Sequence, residues 1–398
     1  QAEDGIRDRS PSRGLGDVYK RQQLLNGSLQ LTDIFQNTTV AGTIKGILNL
    51  SDLSAFYPMA PGTELSGAIK PDLEFNFNQK TIENNQYSDV KLQGSVLCDL
   101  IKYKTKDLPE IKIDQAVIKI SPELIVINEL NSSFGKSDLK ANLSWQEPLK
   151  YFTPASSVKL KIVSNSNLVD LTEWITEPSP SQSKSNDASL NSNALEGLQV
   201  SFESNISKLV YPEYKINAVN GSGELIGDQL ILHNFSAEIN NNQIQGKGTF
   251  TNLAGYMFQD KVLNGKMQLS ATVFDADQFL KSDTSVQSNL PVSTEAFQIP
   301  PEFNFDIAFN AKQFIYRPLI MNALQGQMQI VNSEILFQNI NSNAMGGKMF
   351  LNGLYSTKEP SNPTFNFKYD MSKVQFSNAF NSISVSYTHL TLPTNREV

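Results

Sequence analysis

The chain of 398 residues contains one cysteine and two histidines. A single cysteine excludes an internal disulfide framework, and no Cys/His cluster has the spacing of a structural zinc site. No run of about 18 apolar residues occurs, so no segment reads as a membrane-spanning helix. A basic block is also missing. Lys and Arg number 33 against 40 Asp and Glu, a formal charge of −7, which argues against a nucleic-acid partner. Charged residues make up 18% and hydrophobic ones 39%. The length suits two or three ordinary domains or one array of repeats.

The two ends differ from the rest. Gln1–Gln22 holds four acids and five bases with no period of 2 or 3.6, and the tail 385–398 has Arg396 and Glu397 as its only charges. Both resemble translated sequencing-adapter segments and are set aside before fold reasoning. That leaves 362 residues with 35 acids and 27 bases, a net of −8. The expectation is a fragment of a longer protein.

Period-2 alternation dominates what remains. Phe303, Phe305, Ile307 and Phe309 alternate with Asn304, Asp306 and Ala308. Met267, Leu269, Ala271 and Val273 alternate with Gln268, Ser270 and Thr272. Phe365, Phe367 and Tyr369, like Leu73, Phe75 and Phe77, follow the same rule. Each run places apolar side chains on one face of a strand and polar ones on the other. Asn, Gly, Asp and Ser dominate between runs, as turns require. The chain reads as antiparallel all-β with one dry face.

A repeat underlies the alternation. Asp, three residues and a large aromatic recur at Asp52–Phe56, Asp170–Trp174 and Asp275–Phe279, with a weaker copy at Ser372–Phe376. Asp at the start suits a helix N-cap, so Asp52, Asp170 and Asp275 are expected as structural caps of short helical turns. Leu130, Phe235 and Ile340 are 105 residues apart, as are Trp145, Phe250 and Tyr355. The expected organisation is the end of a β unit at 23–56, then β units at 63–176, 197–280 and 302–384. Ser/Asn/Pro-rich linkers at 177–196 and 281–301 separate the last three. The unit 197–280 holds five predicted strands at about 199–209, 213–226, 229–239, 243–251 and 262–274. The last unit repeats them at about 302–314, 320–331, 334–342, 347–356 and 364–371.

Repeated five-stranded antiparallel units build a twisted, curved sheet, with each linker expected to carry the chain back across the sheet. No helix is long enough to cover the apolar face. Either the sheets close on each other as a β-sandwich array, or they curl into an open β-groove. An open groove asks for an acyl chain, which needs apolar contact and no specific polar partner. Its candidate lining is Met267, Leu269, Val273, Phe303, Phe305, Ile307, Phe309, Phe365 and Phe367.

Ser121-Pro-Glu-Leu-Ile-Val-Ile-Asn-Glu-Leu130, Phe134-Gly-Lys-Ser-Asp138 and Leu149-Lys-Tyr-Phe152 resemble the AsmA family of Gram-negative envelope proteins. So does the stretch from Tyr316 to Phe380, with Leu336-Phe-Gln-Asn-Ile340, Gly346-Gly347 and Asn352-Gly-Leu-Tyr355. The resemblance covers about 24–380. It implies a periplasmic β-rich body anchored in the inner membrane by an N-terminal helix missing from this fragment. Relatives include TamB, and the family is similar to repeating-β-groove proteins that carry phospholipids between membranes. The implied function is non-enzymatic: binding of phospholipid or another acyl-chain lipid, supporting its transport between inner and outer membranes, with envelope proteins as further partners. The alternative it implies is a scaffold for outer-membrane protein biogenesis. No catalytic residue, cofactor or metal is implied.

The residues that carry chemistry elsewhere read blandly here. His233 stands opposite in phase to Leu232 on a strand and has no second His or Cys to assist it. Cys98 sits in an apolar run as a structural thiol. Gly221-Ser-Gly223-Glu-Leu-Ile-Gly227 is followed by strand pattern, not by a helix, so it reads as a turn or bulge and not as a phosphate loop.

Overall fold

The computed structural model describes residues 25–375, apart from 35–36, 56–58, 61, 85, 87–88, 107, 149–156, 174–194, 196, 212–213, 260 and 281–297. The chain divides into two compact units, Gln1–Gly135 with Ser144–Thr153, and Lys136–Leu143 with Pro154–Val398. In the first, β1 (Asn26–Thr32), β2 (Thr39–Lys45), β3 (Leu48–Asn49), β4 (Glu64–Asn78), β5 (Lys91–Lys104), β6 (Ile111–Ile120) and β7 (Leu124–Phe134) pair antiparallel. Both β2 and β3 lie against β4. A short helix, α1 (Gln79–Glu83), follows β4; the Asn78 side chain caps it by accepting from the Thr81 amide at 2.8 Å. β8 (Ser137–Gln146) lies across the division.

The second unit is an open, curved sheet in which strands follow sequence order. β9 (Val158–Asp170) pairs in parallel with β10 (Leu198–Tyr211). From β10 the chain runs antiparallel through β11 (Tyr214–Ile226), β12 (Gln229–Ile239), β13 (Asn242–Thr251) and β14 (Leu263–Asp275). A second parallel pair joins β14 to β15 (Phe303–Tyr316). β16 (Leu319–Val331), β17 (Glu334–Ala344), β18 (Gly347–Ser356) and β19 (Thr364–Ser372) continue antiparallel. Two short helices, α2 (Leu253–Gln259) and α3 (Asp277–Leu280), flank β14. Contacts between elements are essentially those of hydrogen-bonded neighbours. Among the described residues of this unit no second layer closes a sandwich, and the open-groove alternative is the one the sheet adopts.

Both sets of five predicted strands are present to within about three residues at each end. The linkers are corrected. Leu198 aligns with Val158 and Phe303 with Leu263, an offset of 40 residues at both parallel junctions. Each linker therefore joins neighbouring strands and spans the length of one strand, about 40 Å, not the width of a unit. The hairpins arise from local chemistry. Asn240–Asn241, Asn332–Ser333 and Met345–Gly346 all have positive φ, the backbone of the two-residue turns that match strand twist.

The repeat extends to the irregularities of pairing. The β11–β12 register shifts between Asn217 and Asn220 and shifts back between Ser222 and Gly223. The β16–β17 register shifts between Asn322 and Gln325, 105 residues later, and back before Gln327. Ala218 and Ala323 sit in these bulges with φ of 48° and 52°. In the first unit β6–β7 carries the same double shift, from Ile113 to Val117. Bulges bend a strand and raise its twist, so their recurrence curves the sheet at corresponding places.

Curvature lets a single layer bury part of its own apolar face. Ile307, Ala311, Leu324 and Ile340 are each below 8% exposed with no covering layer among the described residues. Glycine completes the packing. Phe250 and Phe305 flank Gly265 in register, and their rings meet edge to face at 6.0 Å. A Cβ on Gly265 would lie 2.7 Å from the Phe305 ring and 3.1 Å from Phe250. Gly265→Ala should therefore lower the unfolding free energy by about 1–3 kcal/mol through overpacking. Gly221→Ala, whose Cβ meets only a carbonyl oxygen at 3.8 Å, should change it by less than about 0.5 kcal/mol. Denaturant titration of the two variants decides between them; equal effects would refute the packing role of Gly265.

Candidate functional site: an apolar stripe across the strands

Residues aligned across neighbouring strands point to the same face. Following one such row through the second unit gives Leu160, Val200, Leu225, Leu230, Phe250, Gly265, Phe305, Ile330, Ile335, Tyr355 and Phe365. The next row on that face runs from Ile162 and Phe202 through Gly248, Met267, Ile307, Met328 and Phe337 to Gly353 and Phe367. A third contains Phe235, Gly246, Leu269, Phe309 and Gly326, with Ile340, Leu351 and Tyr369 beyond the bulge. No charged residue stands in these positions. Ten spacings of roughly 4.8 Å between eleven strands make the stripe about 48 Å long. That is about three times the ~15 Å hydrocarbon depth of one membrane leaflet.

Six of the nine candidate lining residues meet in adjacent positions of this stripe. Phe303 and Phe305 stack at 5.0 Å, Met267 aligns with Ile307, and Leu269 aligns with Phe309. Ile307 is 7% exposed and packs as core; the other five are half-buried. Phe365 and Phe367 continue the rows on β19, at 74% and 40% exposure, and Phe367 lies 5.8 Å from Phe337. Val273 is corrected. Its row holds Gln313 and Asn322, whose side chains bond each other at 3.3 Å. The alternation changes phase beside the bulge at Ala323. Phe274 takes the inward place, stacked on Phe314 at 5.6 Å and packed on the cluster around Ala311, Met321 and Leu324.

A concavity of about 870 Å³ opens against the same strands. Lys247, Thr249, Lys266, Gln268, Asp306, Gln327 and Gln329, in rows that alternate with the apolar ones, line it together with Leu232, Met267, Ile307 and Met328 of the second apolar row. His233 also lines it, exposed, with Nε2 3.6 Å from Glu224 Oε1. Alternation alone gave no sign of this hollow. Gly221 and Gly223 lie inside β11 beside its register shift, and Gly227 turns the hairpin with φ 55°, so the segment is strand and turn. In the first unit Cys98 is buried between Ile69 and Ala116, and burial pushes its thiol up from the ordinary value. Such a thiol is a poor nucleophile. Among the described residues no cluster of His, Cys, Asp or Glu could hold a metal, and no helix is long and apolar enough to cross a membrane.

The expected caps divide. Asp170 Oδ1 accepts from the Thr172 amide at 3.0 Å and caps the 3-10 turn Leu171–Glu173. Asp275 Oδ1 accepts from the Asp277 amide at 3.2 Å as α3 begins. Phe279 stacks on Phe274 at 5.5 Å and so seals that end of the sheet. Asp52 is corrected: it is the third residue of a 3-10 helix, Leu50–Ala55, not the residue before it. Phe56, Trp174 and Phe376 lie outside the described residues. The corners share one device that spacing did not reveal. The amide of Asp170 donates to Ser137 Oγ at 2.9 Å, and that of Asp275 to the side-chain oxygen of Asn242, 105 residues on from Ser137. Asn242 is 2% exposed.

Charge holds these corners. Hydrogen bonds from the Thr172 hydroxyl to Asp170 and from the Gln278 amide to Asp275 hold both carboxyls below the ordinary 3.8. Lys136 near Asp170 and Arg317 against Asp275 add to this. Burial pushes Asp138 up, but amides of Leu168 and Asn167, the Asn167 side chain and the Ser166 hydroxyl together pull it below 3.8.

No family model, no curated protein and no solved structure matches this chain.

The three lowered carboxyls set an acid limit. Their native values lie below the unfolded one, so their stabilisation is complete above about pH 5 and is lost as pH falls through the folded values. Melting temperature should be flat above that point and drop below it. Asp138→Asn should lower it at neutral pH and weaken its dependence on acid; an unchanged acid profile would refute the role of Asp138.

Proposed function

We propose that this chain is a non-enzymatic, lipid-handling protein of the bacterial cell envelope, of AsmA type. It binds acyl chains along its apolar stripe and supports phospholipid movement between inner and outer membranes, from a periplasmic position anchored to the inner membrane. The observation that carries this reading is the pair of apolar rows that cross all eleven strands, about 48 Å long, on a face of the second unit that no described residue covers. Apolar surface of this extent, left uncovered, marks an interaction site. An acyl chain suits it because the rows supply dispersion and desolvation along their whole length and no fixed polar partner. The head group would stay in water at the sheet's open side. Phe305 and Leu269 stand in neighbouring rows and Phe303 stacks on Phe305, so these half-buried side chains are the residues most concerned with contact.

Two measurements test the proposal. Organic extraction of the protein purified from a bacterial host, followed by mass spectrometry, should find phospholipid. A fluorescent phospholipid should bind the purified chain, and the double variant Leu269→Asp with Phe305→Asp should weaken that binding at least tenfold, about 1.4 kcal/mol. Lys266→Asp on the opposite face should leave it within twofold. Lipid-free protein, or equal binding by all three proteins, would sink the reading.

A further inference from the structure

Hollows run end to end along β13 and β14. The concavity of about 870 Å³ shares His233, Lys247 and Gln268 with one of about 440 Å³, which shares Ser236, Gln245 and Ser270 with one of about 300 Å³. From Lys266 to Thr272 on β14 this trough is about 20 Å long, at about 3.4 Å per residue. β13 and β14 have paired strands on both sides, so an added strand finds no edge there and a ligand must be held by side chains. Those side chains are unspent. Elsewhere in the sheet neighbouring amides bond each other, Asn304 to Asn264 at 3.0 Å and Gln325 to Asn341 at 2.9 Å. Gln327 and Gln338 are aligned across β16 and β17 in the same way. Yet among the described residues the side chains of Gln327, Gln338, Gln268 and Gln329 bond no partner. Lys247 aligns with Gln268 and Lys266 with Thr249, so the two lysines are diagonal neighbours, roughly 7–8 Å apart at the backbone. Neither has an ion pair among the described residues, although Asp306 aligns with Lys266. Like charges this close repel, and an anion between them relieves the repulsion. Amides that both donate and accept match the hydroxyls of a sugar, which do the same. No aromatic ring among the described residues lines the 870 Å³ hollow, so a nucleic-acid base has nothing to stack on.

We propose that this trough is a saccharide site that takes a short acidic oligosaccharide. The acid group sits between the Lys247 and Lys266 ammonium groups, and the sugar hydroxyls bond the amides of Gln268, Gln327 and Gln338. Asp306 accepts from a further hydroxyl. The charge-assisted contacts supply most of the affinity, and the amides separate a sugar from a bare anion. This goes beyond lipid binding, and its test reads no lipid.

Calorimetric titration of the full chain at low salt tests this with four probes: tetragalacturonate, maltotetraose 1-phosphate, neutral maltotetraose and inorganic phosphate. At least one of the two acidic saccharides should bind saturably, and about tenfold more tightly than maltotetraose or inorganic phosphate. Lys247→Gln with Lys266→Gln should weaken that binding about tenfold. Gln268→Ala with Gln327→Ala should weaken it about fivefold. All four side chains are exposed, so these variants should melt with the parent. Lys208→Gln with Lys368→Gln, which removes the same charge elsewhere, should leave binding within about twofold. Failure of both acidic saccharides to bind would overturn the proposal, and so would equal loss in the two lysine pairs. Inorganic phosphate binding as tightly as the saccharides, with no loss in the glutamine variant, would mark a bare anion site and overturn it equally.

Discussion

A single layer of strands must bury its apolar face against itself. That constraint explains most of what is unusual in the second unit. With no facing layer among the described residues, burial comes from curvature and from rings laid over neighbouring strands. Gly265 beside Phe305, Gly223 beside Phe202 and Gly353 beside Phe367 supply the room, since a Cβ at each would press on the ring. Ile307 and Ile340 reach core-like burial in this way, while Phe365 at the sheet's edge does not.

Curvature needs places where strands bend, and those places recur. The bulges at Ala218 and Ala323 are 105 residues apart and sit between identical register shifts. Ser137 and Asn242 are also 105 apart, and each holds the amide of the aspartate that ends a set of strands. An alanine at positive φ carries a cost of the order of 1 kcal/mol, which the ladder on either side offsets. The repeat is therefore one of backbone geometry more than of side-chain identity. A serine and an asparagine perform the same task, and short motifs along the chain resemble one another only loosely.

This accounts for what could be read in advance. Alternation marked the strands and the apolar face because one side meets water and the other does not. It correctly brought together Met267, Leu269, Phe303, Phe305, Ile307 and Phe309. It misplaced Val273 because the inward positions change parity between Ala271 and Phe274, in line with the positive-φ Ala323 two strands away, and nothing about alanine advertises that site. Asp170 directly precedes its 3-10 turn, and Asp275, two residues before α3, accepts from the Asp277 amide, as the Asp-to-aromatic spacing suggested. Asp52 shares that spacing but lies within its helical turn, so the motif alone does not fix a cap. The parallel junctions were hidden for another reason. A linker's composition says that it is polar, not where its two ends must meet. The hollow near Lys247 and Lys266 arises from residues on several strands, which no single stretch of sequence displays.

The junctions also set how the apolar stripe can grow. Parallel pairing is slightly weaker per residue than antiparallel pairing, and a one-residue slip would turn every side chain to the wrong face. The asparagine pairs at Asn264–Asn304 and Asn165–Asn205 oppose such a slip, because each amide finds its partner in one register only. With the offset of 40 residues held at both junctions, each further set of five strands would lengthen the stripe by about 24 Å without altering its chemistry. On the proposed reading, the length of an acyl partner would be matched by the number of sets, not by the shape of a pocket. Selectivity among head groups would have to come from polar side chains along its margins.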